Sequence, residues 1–205
     1  MSSSGPEEIA AEIVSRVVFE LGRASYCVCP GFLSPPLLEG LQQDFMRRYG
    51  AKEFVRAGIG KAESRSIDDS IRHDEILWLE SATDLAQTRL FTQLDDLKIA
   101  FNRQLFLGLT DLEIHYASYP PGGFYQRHLD SFAKENARVV SLVIYLNENW
   151  QPAHGGQLRL HLENGTSLDV DPIGGTMVCF LSREIEHEVL PSSAQRKSLA
   201  GWFRG

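Results

Sequence analysis

From residue 111 onward the chain consists of short apolar runs rich in β-branched residues, cut apart by Gly, Asn and Pro. That punctuation constrains the fold more than any other feature. Residues 138–147 (RVVSLVIYLN) form a continuous apolar run, the pattern of a central strand buried on both faces. Residues 155–162 alternate apolar and polar as a half-exposed strand does, and residues 174–181 read as a glycine turn feeding another buried strand. Residues 187–191 and 198–203 add two more segments. Short strands with turns between them predict an antiparallel sandwich or jelly roll rather than a βαβ array.

The preceding residues read as helical support. Glu7 to Leu21 places Ile9, Ile13, Val14, Val17, Val18 and Leu21 at helical spacing, with Pro6 near the start and Gly22 just past the end. A second helix opens at Ser34-Pro35-Pro36, with Ser34 as its cap, and runs to about Tyr49. A third spans Asp84 to about Phe106, with Leu85, Leu90, Phe91, Leu94, Leu97, Phe101 and Leu105 as its buried side. These helices are expected to pack on the outer face of one sheet. Between Arg56 and Asp74 the chain is polar and glycine-rich with little to bury, which predicts a mobile loop. The whole is read as one domain, 1–205, with support, early strands and loop in 1–110 and the strand-rich core in 111–205.

The core carries a set of convergent polar residues. His128 and Asp130 stand at i and i+2, so in an extended strand both point to one face and Leu129 to the other. A second imidazole from His187 would complete two histidines and one carboxylate, a set that holds non-haem Fe(II) facially and leaves positions open for a chelating cosubstrate and dioxygen. Downstream, Arg196 offers a guanidinium fork that binds a carboxylate in bidentate fashion. An interior arginine without a partner is costly, so it argues for an obligatory anion. Strand parity puts Ser141 and Val143 beside Tyr145, and Ser198, Ala200 and Trp202 beside Arg196, with Lys197 on the opposite face. Leu158 is read as apolar wall, while His73, His115, His154 and His161 are read as non-ligands.

A net charge of −7 disfavours a nucleic-acid groove, which needs a concentrated basic stripe. The opening residues lack a basic region followed by an apolar one, and no apolar stretch reaches membrane-spanning length. A cytoplasmic protein with neither nucleic-acid nor membrane partners is expected. Three cysteines, two of them in Cys27-Val28-Cys29, do not make a disulfide framework and read as reduced core residues.

The order Tyr119-Pro120-Pro121-Gly122-Gly123, His128-x-Asp130, Tyr145-Leu146-Asn147, Gly155-Gly156-x-Leu158, His187-Glu188-Val189 and Arg196 resembles the iron- and 2-oxoglutarate-dependent prolyl 4-hydroxylases. It is most similar to the oxygen-sensor prolyl-hydroxylase-domain subgroup and its bacterial counterparts, and the resemblance reaches upstream to residues 71–80. It implies a double-stranded β-helix, cupin-like, with supporting N-terminal helices. The implied cofactors are Fe(II) at His128, Asp130 and His187, 2-oxoglutarate held by Arg196 and the Tyr145 hydroxyl, dioxygen, and ascorbate as reductant. Tyr119, Tyr125, Leu158 and Trp202 would line the cosubstrate pocket, and the 56–74 loop would fold over the substrate, with Arg72 and Asp74 pairing near the site mouth with groups including Arg138. The implied reaction hydroxylates a peptidyl proline and releases succinate and carbon dioxide. Elongation factor Tu is the expected partner in a bacterial setting, and a transcription-factor degron in an animal one. The rival readings are a same-fold oxygenase acting on a free amino acid, another protein side chain or an alkylated base, and a non-catalytic cupin-like metal protein. Base-repair relatives would carry a second arginine where Trp202 stands.

Overall fold

A computed structural model describes residues 6–58, 68, 70–131 and 137–205, with backbone alone for residues 6–10. Three helices precede the main strands: α1 (Pro6–Ala24), α2 (Pro35–Gly50) and α3 (Leu85–Leu105). The strands are β1 (Tyr26–Cys29), β2 (Val55–Arg56), β3 (Glu75–Trp78), β4 (Asp111–Tyr119), β5 (Tyr125–His128), β6 (Arg138–Tyr145), β7 (Leu158–His161), β8 (Ser167–Val170), β9 (Met177–Leu181), β10 (Glu186–Val189) and β11 (Arg196–Arg204). They form a seven-stranded sheet in the order β1-β9-β6-β11-β4-β3-β2 and a four-stranded sheet in the order β5-β10-β7-β8. Every pairing is antiparallel. This is the expected jelly roll.

Period-2 alternation divides the large sheet into two faces. Leu142 and Ile144 on β6, Ile114 and Tyr116 on β4, and Leu199 and Phe203 on β11 join the helix residues Leu41, Phe45, Leu94 and Phe101 in one core. Their neighbours Tyr145, Ala117, Tyr119, Val178 and Phe180 face the small sheet and pack with Leu158, Leu160 and Val189 in a second core.

The helix boundaries differ from the sequence pattern in three instructive ways. α1 continues through Gly22, because a Cβ there would meet Leu105 at 2.7 Å; the glycine makes room for α3 instead of ending the helix. The turn out of α1 falls at Ser25, which takes a left-handed φ of 62°. Ser34 occupies the cap position of α2 but its side chain makes no cap bond; Pro35 and Pro36 occupy the first turn and lack the N–H groups a cap would satisfy. In α3, Asp84 accepts from Gln87 N at 2.8 Å, yet Leu85 is 64 % exposed. The buried stripe runs Gln87, Leu90, Leu94, Leu97, Phe101, and stepping back from Leu90 at helical spacing reaches Gln87, not Leu85. Gln87 Nε2 donates to the buried Asp44 at 2.6 Å, and the Tyr116 hydroxyl donates to the same carboxylate at 2.9 Å, tying α2, α3 and β4 together.

Among the described residues no helix is long and apolar enough to cross a membrane. Cys27, Cys29 and Cys179 are free and buried. Most of the expected mobile loop, residues 59–67 and 69, lies outside the described residues.

Candidate active site

His187 on β10 pairs directly across the ladder with His128 on β5. The two imidazoles thus start as cross-strand neighbours, and the bend after β5 turns Asp130 in beside them. His128 Nε2 lies 3.5 Å from Asp130 Oδ1, and His187 Nε2 lies 3.6 Å from Asp130 Oδ2. One ligand atom from each of the three residues falls within 4.8 Å of the others. No other such group of His, Cys, Asp and Glu occurs among the described residues.

Each donor is oriented from behind. His128 Nδ1 lies 2.7 Å from the Gln126 carbonyl and His187 Nδ1 lies 3.3 Å from that of Ile185. Donating there, each ring keeps its Nε2 lone pair directed at the shared space. The Ser141 hydroxyl donates to Asp130 Oδ2 at 2.7 Å and is itself 2.8 Å from Ser182 Oγ. Burial pushes the His187 imidazole down to about 4, only partly opposed by Asp130, so it is neutral at neutral pH. Burial alone would raise the Asp130 carboxyl, but His187, His128 and Ser141 more than offset it and hold the group well below the usual carboxylate range. The donor set is therefore two imidazoles and one carboxylate on one side of a common point. Its chemistry fits a divalent iron with open positions.

Arg196 is 1 % exposed, the largest fully buried side chain among the described residues. Its Nε donates to the Gly156 carbonyl at 2.9 Å and Nη1 to Ser198 Oγ at 3.3 Å. Gly156 has a φ of +71°, and a Cβ there would crowd Ser192, Trp150 and Arg196. Among the described residues Nη2 has no hydrogen-bond partner, nor has the hydroxyl of Tyr145. The guanidinium lies 5.1 Å from the Tyr145 ring centroid and 5.2 Å from that of Tyr119. Burial, countered by Arg196, pushes the Tyr145 phenol up to about 12, so it stays a donor. Two unmatched buried donors in one slot make a receptor for an anion such as a carboxylate. Leu158 is buried in the same core.

The remaining site expectations separate. The Trp202 indole N–H is buried without a partner, and the Arg138 guanidinium sits 3.5 Å over its ring while donating to Glu113 at 2.6 Å. Arg72 and Asp74 pair with each other, Nε to Oδ1 at 2.8 Å and Nη2 to Oδ2 at 2.6 Å. Tyr125 stacks on His128 with centroids 3.7 Å apart and planes inclined by 21°. Alternation would send residues 125 and 128 to opposite faces. They meet because β5 has an extra residue between its pairings with β10: His187↔His128 is followed by Val189↔Tyr125, two steps against three. That bulge could not be read from the pattern. Lys197 leaves the site face as parity predicted, but its side chain is covered to 16 % exposure beside Glu148. His115 is buried with Nδ1 against the Tyr116 carbonyl at 2.9 Å, and His161 Nε2 lies 3.0 Å from Glu188. Ser182 and Phe180, the latter 4.5 Å from the His187 ring, are site residues that no sequence signal marked.

Residues 114–204 match the family model of the 2OG-Fe(II) oxygenase superfamily. A Pseudomonas putida prolyl-4-hydroxylase crystal structure is similar at 42 % identity with a TM-score of 0.86, over 93 % of this chain and 98 % of that one. A Trichoplax adhaerens prolyl hydroxylase, solved with a hypoxia-inducible factor oxygen degradation domain peptide, matches at 26 % identity and TM-score 0.86, covering 100 % of this chain and 94 % of that one. The hypoxia-inducible factor prolyl hydroxylase of Caenorhabditis elegans is 30 % identical over 208 residues; the match covers 93 % of this chain but spans only 28 % of the worm protein.

Proposed function

This chain belongs to the 2OG-Fe(II) oxygenase superfamily, and from that premise we propose that it hydroxylates a prolyl residue of a protein substrate. The observation that carries the reading is the pairing of a facial His128, Asp130, His187 donor set with a buried arginine whose Nη2 has no hydrogen-bond partner among the described residues. The three donors hold Fe(II), with Asp130 leaving one net positive charge to attract the keto-acid end of 2-oxoglutarate. Arg196 Nη2 and the Tyr145 hydroxyl take the distal carboxylate, and Tyr119 and Leu158 enclose the carbon chain. Fe(II) held there would supply the redox chemistry by which 2-oxoglutarate and dioxygen give succinate and carbon dioxide, one oxygen atom going to succinate and the other to the proline ring. The protein's share is to orient these groups and keep bulk water from the slot.

The likeness to peptide-bound and bacterial prolyl hydroxylases supports a protein substrate, with elongation factor Tu as the first to assay. Free buried cysteines suit a reducing compartment, which supports a cytoplasmic reaction. The test is to incubate iron-loaded protein with cell extract, 2-oxoglutarate and oxygen and to map mass gains of one oxygen atom. Oxygen-dependent succinate with modified prolines is expected. Anaerobic iron binding without succinate in air would leave a metal-binding jelly roll and no more.

A further inference from the structure

The two histidines of the site are not equally supported. His187 is 5 % exposed, sits on the inner strand β10, and has Phe180 against its ring. His128 lies on β5, an edge strand of the small sheet, with its side chain 13 % exposed and its Nδ1 held at the Gln126 carbonyl. Its outer face is covered by Tyr125, brought there by the bulge. Over the other side of Tyr125 lies Arg72, its Cζ 4.5 Å from the ring centroid. Asp74, whose side chain is fully buried, grips that guanidinium through both oxygens and fixes its plane. The backbone ties the same segment to β5: Arg72 bridges to Tyr125, Gln126 N donates to Ile71 O at 2.9 Å, and His73 N donates to Phe124 O at 2.9 Å.

We propose that Arg72 is a positioning residue for the metal ligand His128, acting through a stacked column of Arg72, Tyr125 and His128 that is anchored by Asp74. The inference rests on the metal-site reading above. A cation over an aromatic face attracts the ring, and a ring stacked flat on an imidazole restricts its tilt. The segment carrying Arg72 thus does for the less buried ligand what Phe180 and the core do for His187. Arg72 touches no reacting atom in this scheme; its effect is on how firmly the ion is held.

The test uses Co(II) bound anaerobically to the full chain, followed by its visible absorption and by its rate of loss to an excess of chelator. Arg72→Ala should release cobalt about 10-fold faster than the unaltered protein and change the band shape, in line with the effect of removing a residue that orients a metal ligand. Arg72→Lys, which keeps a cation over the ring, should recover most of that loss. Release and spectrum of Arg72→Ala within about twofold of the unaltered protein, or a lysine variant no better than alanine, overturn the column. Should Arg72→Ala not fold, as read by circular dichroism, Tyr125→Leu removes the intermediate ring while leaving the Arg72 and Asp74 pair, with the same expected and overturning results. His187→Ala serves as the control: undiminished cobalt binding there would sink the metal-site reading itself rather than the column.

Discussion

The two faces of the seven-stranded sheet share the same strands and have opposite chemistry. On the helix side, polar groups are few and matched: buried Asp44 accepts from Gln87, Tyr116 and Arg48 within a core of Leu and Phe. On the site side, Tyr145 OH, Arg196 Nη2 and Trp202 Nε1 are buried with no hydrogen-bond partner among the described residues. A fold that leaves such donors unmatched must draw stability from elsewhere, and the helix face supplies it. Successive residues of one strand thus divide the work: on β11, Leu199 and Phe203 bury against helices while Arg196 and Ser198 bond each other on the site face.

Damage to one face should therefore leave the other intact. The largest effect is expected from His187→Ala or Asp130→Ala, which should lower metal affinity and succinate formation by more than about 100-fold, beyond what loss of a mere orienting partner causes. Thermal unfolding of the metal-free variants should change little by comparison, and a collapse of the fold would break the division. On the opposite face, Phe101→Ala should cost about 3–5 kcal/mol of stability in denaturant titration while cobalt affinity of the folded fraction stays unchanged. Arg196→Ala should raise the 2-oxoglutarate requirement at least about 30-fold, the effect of losing one side of a buried charge pair of about 2–5 kcal/mol, while sparing iron binding. Equal loss in Lys197→Ala would contradict the assignment. The smallest effect concerns His115, which burial pushes down to about 4 and which sits away from the metal donors. Its folded value lies below its unfolded one, so unfolding takes up a proton between these values and stability falls as the pH drops from about 6.5 to about 4. His115→Leu should flatten that slope by about 1.4 kcal/mol per pH unit in denaturant titrations across the window. An unchanged slope would mean that this imidazole is protonated alike in both states.

Much of this was legible beforehand. The branched run at 138–147 is the central strand β6, flanked by β9 and β11, and the turns at Gly155-Gly156 and Gly174-Gly175 stand where the pattern put them. The parity argument grouped Ser141, Val143 and Tyr145 on one face of β6 and Arg196, Ser198, Ala200 and Trp202 on one face of β11; the register, which parity could not give, sets Ser141 opposite Trp202, Val143 opposite Ala200 and Tyr145 opposite Ser198. Leu85 and Gly22 misled because each was judged on its own type: a leucine outside the stripe stays exposed, and a glycine under a neighbouring helix is a contact rather than a stop. Arg72 and Asp74 were expected to pair with groups near the site mouth, and they pair with each other; no spacing rule says which of several nearby charges a guanidinium will choose.

Alternation and turn residues act over a few positions at a time, and they sufficed for strands, faces and the identity of the donors. Where the donors meet is a matter of pairing between segments far apart in the chain: His128 beside His187, Arg196 under Gly156, Arg72 over Tyr125. One inserted residue in β5 reverses the side on which Tyr125 falls, and nothing local announces it. Its cost is repaid only through contacts with β10 and the 70–73 segment, which exist once the whole chain has closed.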